Sequence, residues 1–98
     1  MAILYVYESD RADLDVYDRI NSQITQVPDG AICHVACERD GGGLFVVEVW
    51  ESEEKQDRWN AFIQEKIVAN GGPPRPEPRK LPVHNMRFGN TETAGTRR

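Results

Sequence analysis

His34 and His84 are the only histidines in the 98-residue chain, and imidazole is the side chain best suited to move protons near neutral pH. Groups that suit an aromatic or phenolic substrate lie in nearby segments: Tyr5 and Tyr7 in ILYVYE, Glu48 and Trp50 in VVEVW, and Trp59 in DRWNAF. His34 is the candidate catalytic acid-base residue. Tyr5, Tyr7 and Glu48 are candidates to orient a substrate, Trp50 and Trp59 to stack on a ring, and His84 to line the pocket mouth or a dimer rim. Each has a plainer reading as well. A strand histidine is more often a hydrogen-bonded structural group, a strand glutamate pairs with an arginine, and a tryptophan at a strand end anchors a core or interface.

Other chemistries find less support. Ser9, Ser22 and Ser52 read as cap or helix positions rather than as a nucleophile with its base. Cys33 and Cys37 sit four apart in one strand, roughly 13 Å at about 3.4 Å per residue, whereas a disulfide needs Cα atoms within about 7 Å. They are expected to be reduced, buried, structural thiols. The GGG of residues 41–43 lacks the following Lys-Ser/Thr and helix start of a phosphate loop, so it reads as a turn. A formal net charge of −4 argues against nucleic-acid binding, since the basic residues of the C-terminal third fall mostly on a loop and a tail rather than on one face. No apolar run approaches the roughly 18–20 residues that cross a membrane. The N-terminus lacks a signal peptide's basic region, and the expected location is cytoplasmic.

The elements that must position these residues follow from periodicity. Residues 2–8 are β-branched and aromatic and read as a strand. Ser9-Asp10 offers N-cap chemistry, and Leu14, Tyr17, Ile20, Ile24 and Val27 then recur at helical spacing until Pro28-Asp29-Gly30. Residues 31–38 and 44–50 read as strands joined by the glycine-rich turn, which makes a hairpin. Ser52 caps a second helix, whose buried stripe is Trp59, Phe62, Ile63 and Ile67 and whose end is Asn70-Gly71-Gly72. The prolines of residues 73–78 force an extended crossover, and residues 80–88 make a fourth strand. One domain over residues 1–89 and a disordered tail at 90–98 complete the expectation.

The order βαββαβ is the ferredoxin-like pattern, an α+β fold. Right-handed crossovers give an antiparallel sheet of order 4-1-3-2 with both helices on one face. Alternation places Tyr5, Tyr7, His34, Glu48, Trp50 and His84 on one face; Leu4, Val6, Cys33, Val35, Val47 and Val49, on the other, read as a plain core. Two helices cover only one face, yet both are apolar, so a second copy packed sheet to sheet is expected: a homodimer. His34 and His84 fall on opposite edges, roughly 14 Å apart at about 4.8 Å per strand, too far to share a metal within one chain. No metal and no cofactor are expected.

VEVWESEEKQDRWNAF, with the segments His34-Val35-Ala36, Val49-Trp50-Glu51-Ser52 and Pro82-Val83-His84-Asn85, resembles the dimeric α+β barrel proteins of the antibiotic-biosynthesis-monooxygenase-like group, most of all small bacterial members. The resemblance spans about residues 2–88. It implies a barrel of two facing sheets with a pocket between helices and sheet in each protomer. Members of the wider superfamily include cofactor-independent oxygenases acting on phenolic polyketides, haem-degrading enzymes, cyclases and isomerases. The monooxygenase type places an asparagine on the first strand, where this chain has Tyr5 and Tyr7. Haem-degrading relatives use a histidine on the second helix, and residues 53–72 contain none. Three roles stay open: an acid-base enzyme acting on an aromatic or polyketide-like molecule, a non-catalytic ligand-binding or regulatory module, and a ligand-free structural dimer. A cavity beside His34, with Glu48 or a tyrosine within hydrogen-bond reach, favours the first; two exposed histidines, or histidines locked to backbone groups with no cavity beside them, count against it.

Overall fold

A computed structural model describes residues 1–89, so the expected tail lies outside the described residues. The elements are β1 (Ile3–Ser9), α1 (Leu14–Gln23), β2 (Ala31–Glu38), β3 (Leu44–Trp50), α2 (Glu53–Ala69) and β4 (Arg79–Pro82). The four strands form one antiparallel sheet of order β2-β3-β1-β4. This is the ferredoxin-like α+β arrangement that the βαββαβ order requires.

The hairpin of β2 and β3 turns through Gly41, Gly42 and Gly43, all at positive φ. Arg39 N–H donates to the Gly43 carbonyl at 3.0 Å and Gly42 N–H to the Arg39 carbonyl at 3.0 Å, closing the loop. Only glycine serves at 43, where φ is +100° and a Cβ would collide with the Ser9 carbonyl oxygen. The hairpin register sets His34 directly opposite Glu48, and β1 sets Tyr5 opposite Glu48 on its other side.

Both helices start from side-chain caps. Ser52 Oγ accepts from Lys55 N–H at 3.3 Å, as expected. The α1 cap is Asp13, whose carboxylate accepts from Asp15 N–H at 2.7 Å; Ser9 instead accepts from Arg11 N–H at 3.2 Å. The chain therefore makes one more turn of loop before α1 than the expected Ser9-Asp10 cap allows. At its far end the helix stops at Gln23, which leaves Val27 on the surface.

Three expectations about packing are corrected. Apart from His84, which lies beyond β4, the expected division of residues between the two sheet faces is observed, but the helices cover the face carrying Tyr5, Tyr7, Leu44, Val46, Glu48 and Trp50. The expected plain core is instead the face without helices, where Val35 is 47% exposed although Val49 is only 6% exposed. Cys33 and Cys37 are accordingly exposed free thiols, not buried ones. The third correction concerns β4, which ends at Pro82 rather than at 88, with one further bond from Val83 N–H to the Ala2 carbonyl at 2.9 Å. His84 lies beyond the ladder and is exposed.

Candidate functional site

Between the helices and the sheet lies a cavity of about 530 Å3. Val16 and Ile20 of α1 with Ile24 just past its end, Val46 of β3, and Ile63 with Trp59 of α2 make much of its predominantly apolar wall. Pro73, Pro74 and Pro76 roof part of it, because their locked backbone runs extended from the end of α2 back toward β4.

Into this wall is set one connected chain of polar groups. Tyr17 Oη lies 2.6 Å from His34 Nε2, and the two rings are nearly parallel at 9° with centroids 6.0 Å apart. His34 Nδ1 lies 3.3 Å from Glu48 Oε2. The Trp50 indole N–H donates to Glu48 Oε1 at 2.9 Å, and Arg75 donates to Oε2 at 2.9 Å. Arg75 is itself held by Asn60 and, through its backbone N–H, by Gln64. Its guanidinium lies 3.6 Å from the centroid of the Tyr7 ring, a cation–π contact. Gln56, a buried residue of α2, donates to Tyr7 Oη at 2.6 Å.

Glu48 is the electrostatic centre. Its side chain is 3% exposed, and burial alone would push its carboxyl upward. His34, Arg75 and the Trp50 indole outweigh that cost and hold it down at about 2, so it is ionised at neutral pH. Burial raises the Tyr7 phenol, against the opposing pull of Arg75 and Gln56, and burial likewise raises Tyr17. Both are protonated phenols at neutral pH.

Of the residues singled out from sequence, His34, Tyr7, Glu48, Trp50 and Trp59 line the cavity. Tyr5 does not. It is fully buried beside the start of α2, where Glu53 and Asp57 add to burial in raising its phenol to about 12. Among the described residues its hydroxyl has no hydrogen-bond partner. His84 does not line the cavity either, since the chain leaves the sheet after Pro82. Sequence reasoning missed Tyr17, Gln56 and Arg75. Tyr17 is the one phenol in an otherwise aliphatic helical stripe, and Arg75 is a lone cation between Pro74 and Pro76. Both irregularities are visible signals. Among the described residues no cluster of three His, Cys, Asp or Glu side chains is placed to hold a metal. No described helix is long and apolar enough to cross a membrane.

No family model matches the sequence, and no curated protein matches it. A structural match exists with the crystal structure of a "putative Antibiotic biosynthesis monooxygenase" from Chloroflexus aurantiacus J-10-fl. It has a TM-score of 0.58 at 17% identity, over 90% of this chain and 97% of that one. The two share a fold. At that identity the likeness is one of architecture, and the chemistry must be argued from the site itself.

Proposed function

We propose that this protein binds a small aromatic or polyketide-like molecule in the cavity and acts on it by cofactor-independent acid-base chemistry: oxygenation, cyclisation or isomerisation. The observation that carries this reading is His34, held between the Tyr17 hydroxyl and the Glu48 carboxylate in the wall of an apolar cavity. A proton-moving group backed by an ionised carboxylate is what general acid-base catalysis needs. A cavity of about 530 Å3 accepts a ligand of one to several rings. The fold shared with a named antibiotic biosynthesis monooxygenase is compatible with such a role.

One observation favours a binding-only module. Both Glu48 oxygens already accept from Trp50 and Arg75, as they would in a purely structural cluster. A thermal-shift screen of phenols and aromatic polyketides, followed by product analysis on each hit, separates the two. Under the enzyme reading a hit is converted and His34→Ala abolishes conversion; recovery of every hit unchanged refutes that reading.

We further propose that a second copy covers the open sheet face. Leu4, Val6, Val35, Phe45, Val47 and Leu81 share that face, and Leu81 is 43% exposed. So much apolar surface is worth roughly 25 cal/mol per Å2 once removed from water.

A further inference from the structure

We propose that Tyr17, rather than His34, is the side chain that exchanges a proton with the substrate, with His34 and Glu48 as the relay behind it. This rests on the acid-base reading above and goes beyond it by naming the atom that meets the substrate. Both nitrogens of His34 face protein: Nε2 is 2.6 Å from Tyr17 Oη and Nδ1 is 3.3 Å from Glu48 Oε2. The His34 side chain is 44% exposed, but both its nitrogens are engaged, so a substrate bonds to an imidazole nitrogen only by displacing one of these partners. The Tyr17 oxygen spends one hydrogen on His34 and keeps lone pairs for a proton donor. Tyr17 also lines the cavity.

The direction of the relay follows from Glu48. Its carboxylate is held by the Trp50 indole and by Arg75 and can only accept. The ring nitrogen facing it is therefore the protonated one, and Nε2 carries the lone pair to which the Tyr17 hydroxyl donates. The order is phenol, imidazole, carboxylate, with a phenol where a hydrolytic triad carries a serine. In the working step the substrate's C–H or O–H bond breaks and its electron pair stays on the substrate. That proton bonds to Tyr17 Oη as the phenol's own proton moves to His34 Nε2. The resulting imidazolium faces the Glu48 carboxylate. Reversal returns a proton to the substrate at the same or another atom, so no oxidant or reductant is consumed.

The substrate class follows from charge. Glu48 and Arg75 neutralise one another, the α1 cap Asp13 adds a negative charge to the lining, and the rest of the wall is predominantly apolar. An uncharged weak acid fits such a site: an enolisable ketone or a neutral phenol, rather than a carboxylate or phosphate.

The first test needs no substrate. Nitrogen-15 NMR of the full-length, ligand-free protein at neutral pH reports two imidazoles, and exposed His84 serves as the internal reference. The neutral His34 imidazole is expected to carry its proton on Nδ1, and Tyr17→Phe is expected to shift its Nε2 signal and leave that of His84 in place. A neutral ring protonated on Nε2 overturns the relay. The second test uses a converted ketone or phenol from the screen. Tyr17→Phe keeps the ring and is expected to lower kcat by about 100-fold or more with KM within about 3-fold. Loss of conversion in His34→Ala but not in Tyr17→Phe overturns this inference and leaves the acid-base reading standing. Conversion unchanged in both variants overturns the two together.

Discussion

Glu48→Gln removes the charge on which the site is built and keeps its shape. In the folded protein the carboxyl lies at about 2 instead of 4.5, because His34, Arg75 and Trp50 favour the charged form more than burial opposes it. At about 1.4 kcal/mol per pH unit, that difference contributes roughly 3 kcal/mol of stability wherever Glu48 is ionised in both states. The unfolded chain takes up its proton first as pH falls. The contribution is therefore complete above about pH 5 and is lost as pH drops through 4.5 toward 2. Glutamine cannot titrate, and it leaves Arg75, only 12% exposed, without its anion. At pH 7 the variant is expected to be about 3 kcal/mol less stable. At roughly 4–8 °C per kcal/mol for a domain of this size, Tm falls by roughly 12–24 °C. Urea unfolding of both proteins from pH 7 to pH 2.5, at one protein concentration, is the assay. The other carboxylates titrate in both chains and cancel in the difference. The gap should still be present at pH 5 and then shrink steadily as pH falls through 4.5 toward 2. A gap independent of pH, or one below 1 kcal/mol at pH 7, refutes the reasoning.

The open face predicts a mass near twice 11.1 kDa by light scattering at micromolar concentration, and Val35→Glu is expected to return it to the monomer. A wild-type mass near 11.1 kDa ends the dimer proposal. Tyr5→Phe removes a buried hydroxyl that lacks a partner among the described residues, so stability should hold or rise by up to about 1 kcal/mol. A clear loss in thermal unfolding would show that the hydroxyl is in fact satisfied. Gly43→Ala forces a Cβ into the Ser9 carbonyl at φ +100°, and is expected to cost roughly 1–3 kcal/mol in the same measurement.

Hairpin arithmetic explains why part of the site is legible without a structure. Once Glu38 is opposite Leu44, counting four residues away from the turn, back along β2 and forward along β3, sets His34 opposite Glu48. The same alternation sorts the sheet residues correctly into two faces. It does not say which face the helices cover, because β3 is apolar on both sides and hydropathy weighs them alike. The aromatic and charged face resembles a functional surface, so the aliphatic one reads as core; in fact the helices enclose the first. Tyr17 and Arg75 escape for another reason. Each reaches His34 or Glu48 from an element far away in sequence, across a helix crossing or a proline-fixed crossover, and local pattern carries no information on either approach.

Stability alone does not explain the cluster. An ion pair such as Glu48–Arg75, 3% and 12% exposed, can often be replaced by well-packed apolar side chains with no loss of stability, because taking two charges out of water cancels much of their attraction. A cavity of about 530 Å3 likewise forgoes the packing that large aliphatic side chains would supply in its place. The two features are adjacent, and His34 and Tyr17 stand where they meet. In a chain of this size, whose net stability is a small difference between large terms, a hole lined by an ionised carboxylate, an imidazole and a phenol is a poor solution to folding. It is a good solution to holding an uncharged ring against a group that can take up a proton and give it back.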